Sequence, residues 1–445
     1  MSTDDTNLGY TRRELLLKTT IASAGTALAG CATLAGPVSV PRNTMDIPDS
    51  PGLTPDRMPG SFSTSELERR WNKCRQWMQT AGFDALLIPS RPEGNADIKW
   101  FTENGPDWIV FPQSGQPTAI FRTGAEAEVF ANSTSLPIKV TDSRLNRSGL
   151  MITALKETGL GNGRIGVGNL SGVVRNDEGG VSHITMSRIT AALPGARFES
   201  AVDLLMRVKL SRGPEEIEVL KLASRVSELG LKAIVDTAAP GVPQRDVWFQ
   251  VFKAMLDASG EAPGRVSIRA GDEGNTANGQ PLNEYIKPGQ IISEEISSSV
   301  LGYNSQVNQA ICVGPAPAKW DFAWKSNLEL FNELLAWAKP GRSFADYSKF
   351  YKQWIDNYSA KHGGEMYFGV VFHTAGALGD GPRMGWGRDD ENGDLLIEPG
   401  MVFTLKPRVP IPGVVSPNCQ IGDAILITES GAERLGRRRL DMITL

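Results

Sequence analysis

The sequence predicts an α+β protein of two unequal parts: an amino-terminal α/β domain and a carboxyl-terminal domain built from two similar halves. Three observations predict it. From residue 63 to about 205, short apolar runs of strand type alternate with helical patterns. Beyond residue 206, a Pro-Gly turn signal recurs in two ordered pairs, 240–241 with 340–341 and 288–289 with 399–400. The composition, 40% hydrophobic and 22% charged over 445 residues, is that of a globular chain long enough for more than one core.

The chain opens with Thr11-Arg12-Arg13-Glu14-Leu15-Leu16-Leu17-Lys18, followed by a small, mildly apolar run from Thr19 to Gly30 and then Cys31. Paired arginines ahead of a short apolar run are the pattern of a twin-arginine export signal, too short and too weakly apolar to hold a membrane span. Leu28-Ala29-Gly30-Cys31 resembles a lipobox, in which Cys31 takes the lipid and becomes the new amino terminus. The competing reading is a cytosolic amphipathic helix that begins at Thr11. On the export reading, residues 1–31 are a signal and the protein is periplasmic, anchored to a membrane by its lipid. Residues 32–62 contain six prolines without periodicity and read as a tether.

The globular sequence then declares its elements in order. Leu67, Trp71 and Trp77 recur at helical spacing between Ser65 and Gln79. Ala85–Pro89 reads as a buried strand, Trp108–Phe111 and Thr118–Phe121 as a hairpin about Gly115-Gln116-Pro117, and Arg164–Gly168 as one more strand. Leu204–Lys209 and Ser211–Glu216 carry the chain into the second domain, 206–445, where Glu215 opens a long helix at a Pro-N1 type start. There Ala239-Pro240-Gly241 is followed by Asp246 as Lys339-Pro340-Gly341 is by Asp346. Lys287-Pro288-Gly289 leads to Glu295 as Glu398-Pro399-Gly400 leads to Lys406. A pseudo-twofold domain of this kind predicts that Glu295 and Lys406 face one central site.

Composition also excludes functions. A net charge of −4 with no long basic run argues against nucleic acid as a partner. Four cysteines, 31, 74, 312 and 419, form no close pair, which excludes a disulfide scaffold and paired-cysteine zinc knuckles. Three histidines, 183, 362 and 373, are too few for a His-rich metal site.

The second domain resembles the creatinase/aminopeptidase "pita-bread" family (peptidase M24), which includes methionine and Xaa-Pro aminopeptidases, creatinase and a dimethylsulfoniopropionate lyase. The resemblance is carried by Arg207-Val208-Lys209, Gly213–Ile217, Lys287-Pro288-Gly289, Gly302-Tyr303, Cys312-Val313-Gly314, Phe372–Gly376, Glu398–Phe403 and Ile421–Thr428. It implies a creatinase-like amino-terminal domain over 63–205, a pita-bread domain after it, and a homodimer. The family's metallopeptidases hold two divalent ions with two Asp, one His and two Glu. By the resemblance those five places fall, in chain order, on Glu295, Gln306, His373, Lys406 and Gly422, of which only His373 is retained and Glu295 is a conservative replacement. The set so altered sums to about zero charge and contains a lysine, which cannot ligate while protonated. The expectation is therefore no metal and no other cofactor. Creatinase works without metal, but its catalytic histidine would align with Asn278, and the peptidases' second active-site histidine with Asp380.

The expected catalytic group is therefore His373, Glu295 and Lys406. His373 would act as general acid or base, Glu295 would orient it or a water, and Lys406 would stand in electrostatically for the lost cation. Asn278, Tyr303, Gln306, Asp380 and Arg383 are candidate substrate contacts by position, and Trp386 is a candidate aromatic wall. Lys406 as a plain ion-pair partner of Glu295, and His373 as a relic, remain competing readings. At the level of function, the choices are a metal-independent hydrolase or lyase for a small carboxylate- or amide-bearing substrate, a non-catalytic protein that binds a small molecule or short peptide, and a metallopeptidase with relocated ligands.

Overall fold

The computed structural model describes residues 53–54, 58–90, 96–103, 105–142, 144, 146–172, 178–271, 281, 283–362, 369–374, 382–384, 393–408 and 419–445, with the backbone alone at 369–374 and 383–384. The export signal with Cys31, most of the tether, Asn278, Asp380 and Trp386 lie outside the described residues.

Strands β1 (Ala85–Pro89), β2 (Trp108–Pro112), β3 (Thr118–Phe121), β4 (Lys139–Asp142), β5 (Arg164–Val167) and β6 (Arg197–Ser200) form one sheet in the order β4-β3-β2-β1-β5-β6. β1 and β2 are buried at every position, which is why both read as unbroken apolar runs. The helices of this region are α1 (Thr64–Ala81), α2 (Ala96–Thr102), α3 (Gly124–Ser133), α4 (Arg147–Glu157), α5 (His183–Ala192) and α6 (Val202–Val208). The first helix runs slightly beyond the expected 65–79. Its Ser63 hydroxyl caps the Glu66 amide, and Gly82 ends it in the left-handed region.

The second region begins with α7 (Pro214–Thr237), which has Pro214 in its first turn as expected, and α8 (Gln244–Ser259). These lead into β7 (Arg265–Gly271), β8 (Ile291–Ser297), β9 (Gln306–Val307) and β10 (Ile311–Cys312). The second half repeats the plan with α9 (Ala318–Trp337), α10 (Phe344–His362), β11 (Gly369–Thr374), β12 (Arg383–Met384), β13 (Val402–Arg408), β14 (Asp423–Thr428) and β15 (Gly431–Arg434). A last strand, β16 (Ile443–Thr444), returns to pair with β10.

The repeat holds hydrogen bond for hydrogen bond. The Gly241 amide donates to Ile286 O and the Gly341 amide to Ile397 O, both at 2.8 Å. The Gly289 amide donates to Val313 O at 2.7 Å, and the Gly400 amide to Ile427 O at 2.8 Å. All four glycines have φ between 81° and 85°, a conformation that costs an L side chain about 1–2 kcal/mol. The two halves join where Asn308 and Gly422 exchange backbone hydrogen bonds of 3.0 and 3.1 Å. One face of each half-sheet is covered by its own helices, as where Ile296 of β8 packs onto α7 at Gly230. The other faces meet at the centre.

The first and second regions share a buried polar seam. Arg70 of α1 bonds Glu66 at 2.9 Å, and Arg69 bridges Glu66 to Glu216 of α7 at 2.7 and 3.0 Å. Lys209 pairs with Asp97 of α2, both buried.

Candidate functional site

The site is built from the strand faces turned away from the helices. On β8 these are Ser293, Glu295 and Ser297, since Ile296 lies on the helix side and successive side chains alternate. Directly opposite on β7 stand Arg269, Ser267 and Arg265. On β13 the corresponding positions are Thr404, Lys406 and Arg408, paired with the backbone positions His373, Val371 and Gly369 of β11.

At the centre Glu295 and Lys406 meet as expected, with Lys406 Nζ 3.4 Å from Glu295 Oε1 and both residues only 6% exposed. Gln306 Nε2 donates to the same oxygen at 2.5 Å, and Arg265 Nη1 lies 3.3 Å from it. Burial pushes the Lys406 ammonium down to about 8; Glu295 opposes that shift, and Arg408 and Arg265 reinforce it. One residue back, Glu294 turns to the helix side, where burial raises its carboxyl well above the ordinary range.

Among the described residues the donor set does not suit a divalent cation. Two cationic groups lie within 3.4 Å of Glu295 Oε1. Gln306 directs an N–H, not a lone pair, toward that oxygen. At position 422 packing opposes any side chain: a Cβ there would stand 2.2 Å from Asn308 Oδ1. Asp423, the next residue, is fully buried and turned away to Arg434 and Arg438 at 2.8 and 3.1 Å.

Of the residues singled out from sequence, the structure brings Glu295, Gln306 and Lys406 together. The backbone of His373 lies opposite Thr404, one diagonal step from Lys406, which is about 7–8 Å in an antiparallel pair. Arg383 pairs with His373 on β12. Tyr303 requires a correction. It is fully buried at the seam between the two regions, donates its hydroxyl to Glu216 Oε1 at 2.6 Å, and meets Phe62 edge-on with ring centroids 5.4 Å apart. Its side chain is a packing and hydrogen-bonding element with no face open to a ligand. Sequence reading missed Arg265, Arg269, Ser293, Arg408 and Asn308. The available signal was two-residue alternation: Arg265 and Arg269 flank Ser267, as Arg408 follows Lys406.

The comparisons with known proteins agree with this picture. The family described as metallopeptidase family M24 matches residues 218–429. Creatinase from Bacillus sp. (strain B-0618) is 23% identical over 399 residues, covering 85% of this chain and 92% of its own length. Xaa-Pro dipeptidase from Pyrococcus furiosus is 24% identical over 267 residues, covering 60% of this chain and 74% of its own. Among solved structures, the Xaa-Pro dipeptidase from Bacillus anthracis superposes with a TM-score of 0.70 at 18% identity, covering 85% of this chain and all of that one, a likeness of fold. Two half-sheets related by a pseudo-twofold, a central site at their junction and the matched family model agree: residues 218–429 carry a domain of the M24 (creatinase/aminopeptidase) type, and the chain is related to the family's hydrolases.

Proposed function

We propose that the chain is a hydrolase that works without a metal on a small carboxylate- or amide-bearing substrate. The observation that carries this reading is the buried ammonium of Lys406, 3.4 Å from Glu295 at the centre of the fold. A fixed cation in a water-poor site stabilises charge that develops on a carbonyl oxygen without reorganising at the moment of reaction. Lys406 holds the developing oxyanion. His373 takes a proton from the attacking water and returns it to the leaving nitrogen. Glu295, held by Gln306 and Arg265, keeps the ammonium in place.

Export by the twin-arginine route, lipid attachment at Cys31 and a homodimer complete the proposal. The first two are supported by Arg12-Arg13 and Leu28–Cys31, and the dimer by the family likeness. Replacing Cys31 with Ser should release the protein from the membrane fraction. Persistence there removes the anchor from the proposal.

The function is tested by assaying the purified protein against Xaa-Pro dipeptides and other small N-substituted amino acids. Turnover should be unchanged by chelator and by added Mn, Co or Zn. Activity that appears only with stoichiometric metal overturns the reading. Tight binding with no turnover for any substrate establishes a non-catalytic binding protein in its place.

A further inference from the structure

The inward faces of β7, β8 and β13 carry four cationic side chains, Arg265, Arg269, Lys406 and Arg408, and one carboxylate, Glu295. Arg265 and Lys406 gather at Glu295 itself. Arg269 stands further along. It pairs across the ladder with Ser293, two residues from the Ser267–Glu295 pair and so about 7 Å from it along the strand. Arg269 Nε and Ser293 Oγ are buried, and among the described residues neither has a hydrogen-bond partner. Ser293 is only 2% exposed.

Two orphaned donors on one face, directly opposite each other, are costly unless an acceptor completes them. The acceptor that suits a guanidinium and a hydroxyl together is an oxyanion. The repeat gives this position meaning. The offset of 111 residues that relates Glu295 to Lys406 also relates Ser293 to Thr404, so Arg269 occupies in the first half the place that His373 occupies in the second.

We infer that Arg269 and Ser293 form an anion subsite beside the Glu295–Lys406 centre, and that the substrate is a small organic dianion whose second acidic group, a carboxylate or a phosphate, binds there. The placement of the substrate rests on the reading of Glu295 and Lys406 proposed above. The reacting carbonyl faces Lys406, one acidic group lies toward Arg408, and the other faces Arg269 and Ser293.

The test is calorimetric titration of the full chain with acetate, glutarate and phosphoglycolate at low ionic strength. At least one dianion should bind tenfold or more tightly than acetate. Ser293→Ala, which removes one oxygen, and Arg269→Met should each weaken that dianion tenfold or more, with acetate changed less than twofold and an unaltered melting curve for Ser293→Ala. Preference for glutarate identifies a dicarboxylate, and preference for phosphoglycolate a phosphorylated acid. Dianions that bind no more tightly than acetate, or that are indifferent to both variants, overturn the subsite. Binding is read here without turnover. A protein that selects dianions but hydrolyses nothing overturns the metal-free hydrolase alone, and one that hydrolyses monoanions without selecting dianions overturns the subsite alone.

Discussion

At the scale of the residue, the decisive group is Lys406. Burial lowers its pKa from the ordinary 10.5 to about 8, so its proton is present at neutral pH and lost on modest alkalinisation. If the ammonium stabilises an oxyanion, kcat/KM falls as pH rises through about 8, and Lys406→Met abolishes that limb. The same change costs about 2–4 kcal/mol of transition-state stabilisation. A pH–rate profile of both proteins checks it; an alkaline limb that survives in the variant excludes Lys406 as its source. Stability moves in the opposite direction. Between about 8 and 10.5 the unfolded chain holds the proton and the native one does not, so Lys406 makes the native state more stable as pH rises through that window. Denaturant unfolding at pH 7 and pH 9.5 should show that gain in the parent and a smaller one in Lys406→Met. At neutral pH the variant still leaves Glu295 with Gln306 at 2.5 Å and Arg265 at 3.3 Å, so it should lose only about 1–3 kcal/mol. A loss of about 3–5 kcal/mol would make Lys406 the structural partner of a stranded carboxylate.

At the scale of the element, the junction of the half-sheets shows why a side chain is not readily placed at position 422. Gly422 and Asn308 face each other across the strand bridge, and the amide of Asn308 fills the volume a side chain at 422 would need. Asn308 Nδ2 also donates to Glu294 O at 3.0 Å, tying the same side chain to β8. Gly422→Ala should therefore destabilise by about 1–3 kcal/mol through overpacking. Asn308→Ala with Gly422→Ala should recover part of that loss, less the cost of the missing hydrogen bond. Thermal or denaturant unfolding of the three variants measures it, and additive losses would show that the two side chains do not compete for one space. The repeated Pro-Gly turns were legible in sequence because each glycine must adopt a positive φ next to a fixed proline, so the residue types cannot drift. Arg265 and Arg269 were not legible as site residues. An arginine in a strand reads as solvent-facing until pairing shows that its face is the interior of the domain.

At the scale of the whole molecule, the two regions are joined by charge as well as by apolar packing. Against the upward push of burial, Arg70 and Arg212 hold the Glu216 carboxyl below its ordinary range, and Tyr303 donates to it at 2.6 Å. Nearby, Lys209 and Asp97 pair out of solvent. Asp97→Ala removes the carboxylate facing a buried ammonium and should cost about 3–5 kcal/mol. Asp97→Ala with Lys209→Met should cost less than Asp97→Ala alone, since no buried charge then lacks its counterion. Denaturant midpoints of the parent, the single and the double variant decide this; a double variant no better than the single would show that packing, not charge, holds the seam.

By itself the sequence determined the two-domain α+β class, the internal repeat, the likeness to the M24 family, and the meeting of Glu295 with Lys406. Each depends on turn chemistry, hydrophobic period and spacing, which are local or regularly repeated along the chain. Only the tertiary structure decided that Tyr303 belongs to the seam and not to the site. It alone showed that Asn308 fills the space at Gly422, and that Arg265 and Arg269 share the inward face with Glu295. Those facts depend on which strand face is covered and on contacts between residues from 11 to 114 positions apart, such as Gln306 with Glu295 and Asn308 with Gly422. No local rule of residue type encodes such contacts, because the free energy that selects them is that of packing two distant segments against each other.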